Sequence, residues 1–222
     1  MTQVPVSVEI GPSRLQGLLA VPDAAKGLVI FAHGSGSGRH SPRNNDVAAG
    51  LQAAGFATLL LDLLTPAEEL DRRNVFDIPL LASRLATATA WAQQNPDIGK
   101  LRVGYFGAST GAGAALLAAA MADGRVGAVV SRGGRPDLAG DALADVHAPT
   151  LLIVGSLDGE VLRLNRDALL QIPAPRRLTV VEGAGHLFEE PGTLGRVCDH
   201  AADWFNAYLP GEAAEVRDEP AP

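Results

Sequence analysis

The sequence predicts an α/β protein: a mostly parallel, twisted sheet of about eight strands with helices on both faces. Three observations carry this. Apolar, β-branched runs alternate with helical patterns through most of the 222 residues. Runs such as "GLVIFAHG" are apolar almost throughout, as strands covered on both faces are. No composition break or internal repeat interrupts the alternation.

Taken in order, "VSVEIG" and "LQGLLAVP" read as two opening strands, antiparallel because so few residues join them. "GLVIFAHG" is the third strand. "SPRNNDVAAGLQAAG" reads as a helix with Ser41 as N-cap, Pro42 in its first turn and Gly55 past its end. "FATLLLDL" is the next strand, and a helix from about Ile78 to Gln94 carries Leu81, Leu85, Ala88 and Trp91 on one face. "KLRVGYFGAS" is a strand leading into the helical "TGAGAALLAAAMA". "VGAVVSRGG", "PTLLIVGS" and "RRLTVVEGA" read as three further strands, with a helix near Val161–Ile172 between the last two. A closing helix runs from about Pro191 to Tyr208. Residues 1–209 are thus expected to form a single domain. The remaining "PGEAAEVRDEPAP", residues 210–222, has too little apolar surface to fold and is expected to be a disordered tail.

Composition narrows the function classes. Hydrophobic residues make up 47% of the chain and charged residues 19%, as in a globular soluble domain. The apolar stretch "AALLAAAMA" is far short of the ~18 residues that span a bilayer. No secretory signal is visible at the N-terminus, so a cytoplasmic location is expected. The formal charge of −7 argues against nucleic-acid or anionic-membrane partners. Cys198 is the only cysteine, so no internal disulfide forms, and no Cys/His cluster has zinc spacing. Neither a cofactor nor a metal is expected, and the expected partner is a small-molecule substrate. The oligomeric state is not encoded in any feature of the sequence.

In a sheet of this type, ligands bind beyond the carboxyl ends of the strands. "HGSGSG" (33–38), "GASTG" (107–111), "GSLDG" (155–159) and "GAGH" (183–186) all fall at such ends. In G-x-S-x-G, Ser109 occupies a tight strand-to-helix turn that lifts its hydroxyl clear of the sheet. Gly107 and Gly111 are required where a side chain would strike neighbouring backbone. A serine needs a base to accept its proton, and His186, in a small-residue loop after the last strand, is the candidate. His40, His147 and His200 read as surface or packing residues, and His33 as a structural member of its loop. The base in turn needs a carboxylate to hold its tautomer: Asp158 stands at the right strand end, with Asp137 as the competing acid. Asp62 reads as a cap or loop anchor. The backbone amides of Ser35 and Thr110 are candidates for an oxyanion hole. The glycine-rich loop also has the look of a phosphate cradle, but it matches neither nucleotide-binding pattern.

The order Ser, Asp, His at these strand ends resembles the α/β-hydrolase superfamily, and within it the small dienelactone-hydrolase-like proteins. "HGSGSGRHSPRN" with "DLLTPAEE" also resembles hydrolase-type proteins sometimes joined to phosphoribosyltransferase domains. The resemblance implies an α/β-hydrolase fold with Ser109 as nucleophile, Asp158 as acid and His186 as base. Dienelactone hydrolases proper carry cysteine at the elbow; serine here points to a serine esterase.

The link between "VVSRGG" and "PTLLIVGS" is too short for a helical lid domain, so an open site and a small or medium, water-soluble ester are expected. Arg39, Arg43 and Arg132, with Arg135, fall near the same sheet edge. They are either solvated loop arginines or readers of an anionic group on the substrate. Two other functions use the same residues: transfer of the acyl group to an acceptor other than water, including perhydrolysis, and lactone hydrolysis. A non-catalytic binding protein on this fold is the remaining alternative.

Overall fold

The computed structural model describes residues 5–211; the expected tail falls, from residue 212 on, outside the described residues. Eight strands form one sheet: β1 (Val6–Ile10), β2 (Leu15–Ala20), β3 (Leu28–Ala32), β4 (Ala57–Leu61), β5 (Val103–Ala108), β6 (Val126–Arg132), β7 (Thr150–Gly155) and β8 (Arg176–Val181). Their spatial order is β1-β2-β4-β3-β5-β6-β7-β8. β2 pairs antiparallel with β1 and with β4, and every other pair is parallel. This is the α/β-hydrolase arrangement that the sequence predicts. β3 sits between β4 and β5, and all of its residues are buried, which explains its unbroken apolar run.

Among the described residues seven helices accompany the sheet: α1 (Pro42–Ala53), α2 (Pro66–Glu69), α3 (Arg72–Val75), α4 (Ile78–Gln94), α5 (Thr110–Met121), α6 (Gly159–Leu169) and α7 (Thr193–Tyr208). Strand residues alternate between two cores because successive side chains point to opposite faces. Leu28, Ile30 and Ala32 of β3 join the core under α4 and α5, while Val29 and Phe31 join that under α1 and α7. Burying a leucine or phenylalanine in either core contributes about 1.5–3 kcal/mol.

Several local signals act as their chemistry dictates. The Ser41 side chain accepts from the Asn44 amide at the start of α1, and Gly55 follows that helix at φ +91°. Asp77 caps α4 through the Leu80 amide (2.9 Å). α4 buries Leu81, Leu85 and Ala88, but its stripe closes on Ala92, leaving Trp91 half-buried. The 64–77 stretch, unassigned from sequence, holds α2 and α3. Each is a four-residue helix, too short to develop a helical period. They form through local caps instead: Thr65 and Glu68 make a reciprocal capping box, and the Asp71 carboxylate accepts from the Arg73 amide. Between β6 and β7, a 3₁₀ segment (Pro136–Asp145) packs on α5 and α6 and forms no lid. Among the described residues no helix is long and apolar enough to cross a membrane.

One buried polar link ties α4 to the sheet. The hydroxyls of Thr89 and Tyr105 lie 2.7 Å apart, and Thr89 also donates to the Leu85 carbonyl. Burial pushes the Tyr105 phenol up to about 12 from its ordinary value of 10. A raised folded-state value means that this group's stabilisation is complete below the unfolded value near 10 and is lost as pH climbs toward 12. Tyr105→Phe is expected to lower stability by about 1 kcal/mol at neutral pH, since Thr89 keeps its carbonyl partner. Urea unfolding followed from neutral to alkaline pH checks both points: the wild type weakens as its phenol titrates, and the phenylalanine variant lacks that component.

Candidate active site

The site begins where β5 hands over to α5. Ser109 has φ +51° and ψ −124°, a conformation that strains any residue with a side chain. The turn holds because its flanking glycines allow the chain to close on itself. A Cβ on Gly111 would meet the Ala32 carbonyl oxygen at 2.2 Å and the His33 oxygen at 2.5 Å. A Cβ on Gly107 would meet Ala112 Cα at 2.5 Å. The helix is thereby pressed against both β3 and β5. The carbonyl of Ser109 accepts from the amides of Ala112 and Arg135, and its own amide donates to the Arg132 carbonyl. The backbone of Ser109 is therefore pinned from two directions while its side chain stands at the sheet edge.

The loop after β3 lies directly beside it. His33 is buried, and its Nε2 accepts from the Leu63 amide (3.1 Å). That partner places the ring proton on Nδ1, which lies 3.0 Å from the Gly34 carbonyl. His33 thus ties the β3 loop to the β4 loop, the structural role expected of it. Asp62 anchors the same region by accepting from the Arg39 amide (2.6 Å) and pairing with the Arg39 guanidinium. The Ser35 amide donates to Thr110 Oγ1 at 3.1 Å. Thr110 opens α5, so its own amide has no acceptor within the helix.

The loops after β7 and β8 bring the remaining pair together. His186 Nδ1 and Asp158 Oδ2 are 2.6 Å apart, with the carboxylate largely buried and the imidazole partly exposed. Asp137, the competing acid, is instead bound side-on by Arg135 at 2.7 and 2.8 Å. The His186 loop is shaped by Glu190, whose Oε1 accepts from the Gly185 amide. Of the other histidines, His40 and His147 are exposed and His200 is half-buried on α7.

Ser109 and His186 line one cleft of about 540 Å³, together with the 34–38 loop, Arg43 and Arg132. No hydrogen bond joins the Ser109 hydroxyl to His186 in this arrangement. A second cavity of about 320 Å³ lies across the same loop, lined by Leu64, Val75, Leu81 and Thr110. The arginines separate. Arg39 is held by Asp62 and does not line the cleft. Arg43 lines the cleft but is paired with Glu189 at 2.8 Å. Arg132 is buried there without a partner for Nε or Nη1. Nothing in the sequence distinguished it from its neighbours, because burial and pairing are properties of the assembled chain. Among the described residues no group of three or more His, Cys, Asp or Glu side chains is placed to hold a metal ion.

The dienelactone hydrolase family model matches residues 15–209. The chain belongs to the dienelactone hydrolase family. The crystal structure of a dienelactone hydrolase from Anabaena variabilis superposes with a TM-score of 0.89 at 57% identity, covering 94% of this chain and 98% of that one. A Mycobacterium tuberculosis protein named "Putative phosphoribosyl transferase" is 62% identical over 206 residues, 93% of this chain but 46% of its own length. The chain thus spans less than half of that relative. A Bradyrhizobium protein named "Probable 2-oxo-3-(5-oxofuran-2-ylidene)propanoate lactonase" is 30% identical over 65% of this chain and 67% of its own. The family and the fold are those of the α/β hydrolases.

Closing α5 onto β3 leaves no room for one extra carbon. Gly111→Ala is expected to destabilise the protein by about 3 kcal/mol or more, the upper end for overpacking. Gly36→Ala, in open space, loses only what its φ of +69° demands. Thermal unfolding of the two variants beside the wild type checks the contrast.

Proposed function

We propose that this chain is a serine hydrolase of carboxylic esters that works through an acyl-enzyme on Ser109. The observation that carries the reading is the 2.6 Å bond between His186 and Asp158, on the rim of the cleft that Ser109 also lines. With Nδ1 given to Asp158, Nε2 is the nitrogen left to take the serine proton. Rotation of the Ser109 side chain brings its hydroxyl to that nitrogen as substrate enters; catalytic contacts often tighten only in the complex.

Ser109 Oγ then attacks the ester carbonyl while its proton passes to His186. The oxyanion is received by the Thr110 amide, with the N-terminal end of α5 behind it. The Ser35 amide supplies the second bond by exchanging its Thr110 hydroxyl acceptor for the oxyanion. Collapse breaks the bond to the alcohol, which leaves with the proton from His186. Water repeats the sequence on the acyl-enzyme, returning the serine and releasing the acid. Asp158 holds the imidazole upright throughout and offsets its charge when protonated.

An internal ester differs only in that the alcohol remains tethered, so lactones are a second substrate class; the family membership and the lactonase relative favour it. The cleft volume and the absence of a lid between β6 and β7 suit small or medium substrates in solution.

A fluorophosphonate probe is expected to label the wild type and leave Ser109→Ala unlabelled; a folded wild type that takes no label overturns the reading in favour of a binding protein. Asp158→Asn is expected to keep the fold while kcat falls by about 10⁴. Short p-nitrophenyl esters and small lactones are expected to turn over faster than long-chain emulsions, and the reverse order rejects an open site for soluble substrates.

A further inference from the structure

β8 closes the sheet on the side away from β1, and among the described residues nothing pairs with its outer edge. Edge strands are ordinarily blunted by a proline, a bulge or a covering segment. β8 has none of these. Its six residues hold neither proline nor glycine, and they run in unbroken register along β7. From Arg176 to Val180 they are exposed or half-buried, and Val180 is 40% exposed.

The bonds to β7 determine which groups look outward. The Pro175 carbonyl accepts from the Thr150 amide, and the Val181 carbonyl accepts from the Ser156 amide. Backbone groups alternate in direction along a strand, so the odd-numbered residues face β7, and Arg176, Leu178 and Val180 turn theirs to the free edge. Side chains alternate as well. Val181 joins the core under α7 and Arg177 lies over the Trp204 ring, so Leu178 and Val180 stand on the α6 side.

These outward residues are self-complementary. When two β8 strands run antiparallel with Thr179 opposite Thr179 of a second copy, Leu178 falls opposite Val180 and Arg176 opposite Glu182. The Leu178 and Val180 positions then exchange both backbone bonds, as their outward groups require. The Arg176 guanidinium faces a carboxylate at both ends of the pair, by symmetry. Among the described residues neither Arg176 nor Glu182 has an ion-pair partner within the chain. The Glu182 carbonyl is taken by Arg196 Nη2 (2.8 Å), so Glu182 contributes through its side chain. Sliding one strand by two residues either way sets Arg176 against Val180 or Glu182 against Leu178, so charge fixes the register.

We propose that this chain self-associates through β8: two copies pair antiparallel along that edge about a two-fold axis beside Thr179 and join their sheets into one. The interface runs along a strand, apart from the cleft at the strand ends, and does not depend on the ester chemistry.

Sedimentation velocity of the full chain, over a wide concentration range, tests this. The wild type is expected to sediment as a dimer that dissociates on dilution. Arg176→Glu sets like charges opposite each other at two symmetric places, and is expected to raise the dissociation constant by about a hundredfold. Glu182→Arg is expected to do the same, and the double variant, with its charges exchanged, is expected to regain the dimer. Val180→Lys, in the centre of the pair, is expected to weaken it without any charge exchange. Far-UV circular dichroism checks that each variant is folded, and Val180→Lys alone carries the test if a charge variant is not. A wild type that stays monomeric throughout overturns the proposal. A dimer that survives Arg176→Glu and Val180→Lys overturns it as well, because the copies then meet elsewhere. Loss of the dimer in both charge variants with no recovery in the double variant overturns the register and the proposal with it.

Discussion

The close approach of α5 to the sheet is the constraint on which the rest of this molecule depends. It requires backbone to touch backbone at Gly107 and Gly111, and it forces Ser109 into a strained conformation at the point of contact. The strain is held by hydrogen bonds from β6 and the following loop, and by the near-continuous burial of the small side chains along α5. Alanine and glycine dominate that helix because larger residues would push it off β3 and β5. The site inherits this geometry: a half-buried serine whose backbone is held by hydrogen bonds to Arg132, Ala112 and Arg135.

The parallel sheet does the remaining positioning. Because β3, β5, β6, β7 and β8 run in the same direction, the loops after them emerge on one edge. That edge collects the glycine loop, the serine, an arginine, the aspartate and the histidine from five separate parts of the chain. His33 and Asp62 act as fasteners there, joining the β3 loop to the β4 loop. The two cavities on either side of the glycine loop differ in character. One is rimmed by Arg43, Arg132 and His186; the other is lined by Leu64, Val75 and Leu81 together with Glu69 and Thr110.

Charge pairing shows where this edge is complete and where it is open. Arg39, Arg43 and Arg135 at this edge each have a carboxylate within ion-pair distance, and Arg132 does not. A partly exposed pair such as Arg43–Glu189 contributes little to stability. A buried cation without a partner is destabilising, so Arg132 sits at this edge at a cost to stability.

Strand and helix order, the extent of α4, the cap of α1 and the elbow around Ser109 were legible in the amino-acid order. Each depends on neighbours within a turn or two: a period of burial, a cap, a glycine that permits a conformation. The identity of the chain as an α/β hydrolase followed from the same local signals set in sequence. Other features belonged to the tertiary structure alone. The short helices α2 and α3 leave no periodic trace. Asp158 as the partner of His186 was legible from its strand end, but that Arg132 rather than Arg39 or Arg43 faces the cleft unpaired was not. That choice is made between chemically identical side chains, and only the assembled sheet sets which of them meet a carboxylate, because pairing depends on distance and burial across residues far apart in the chain.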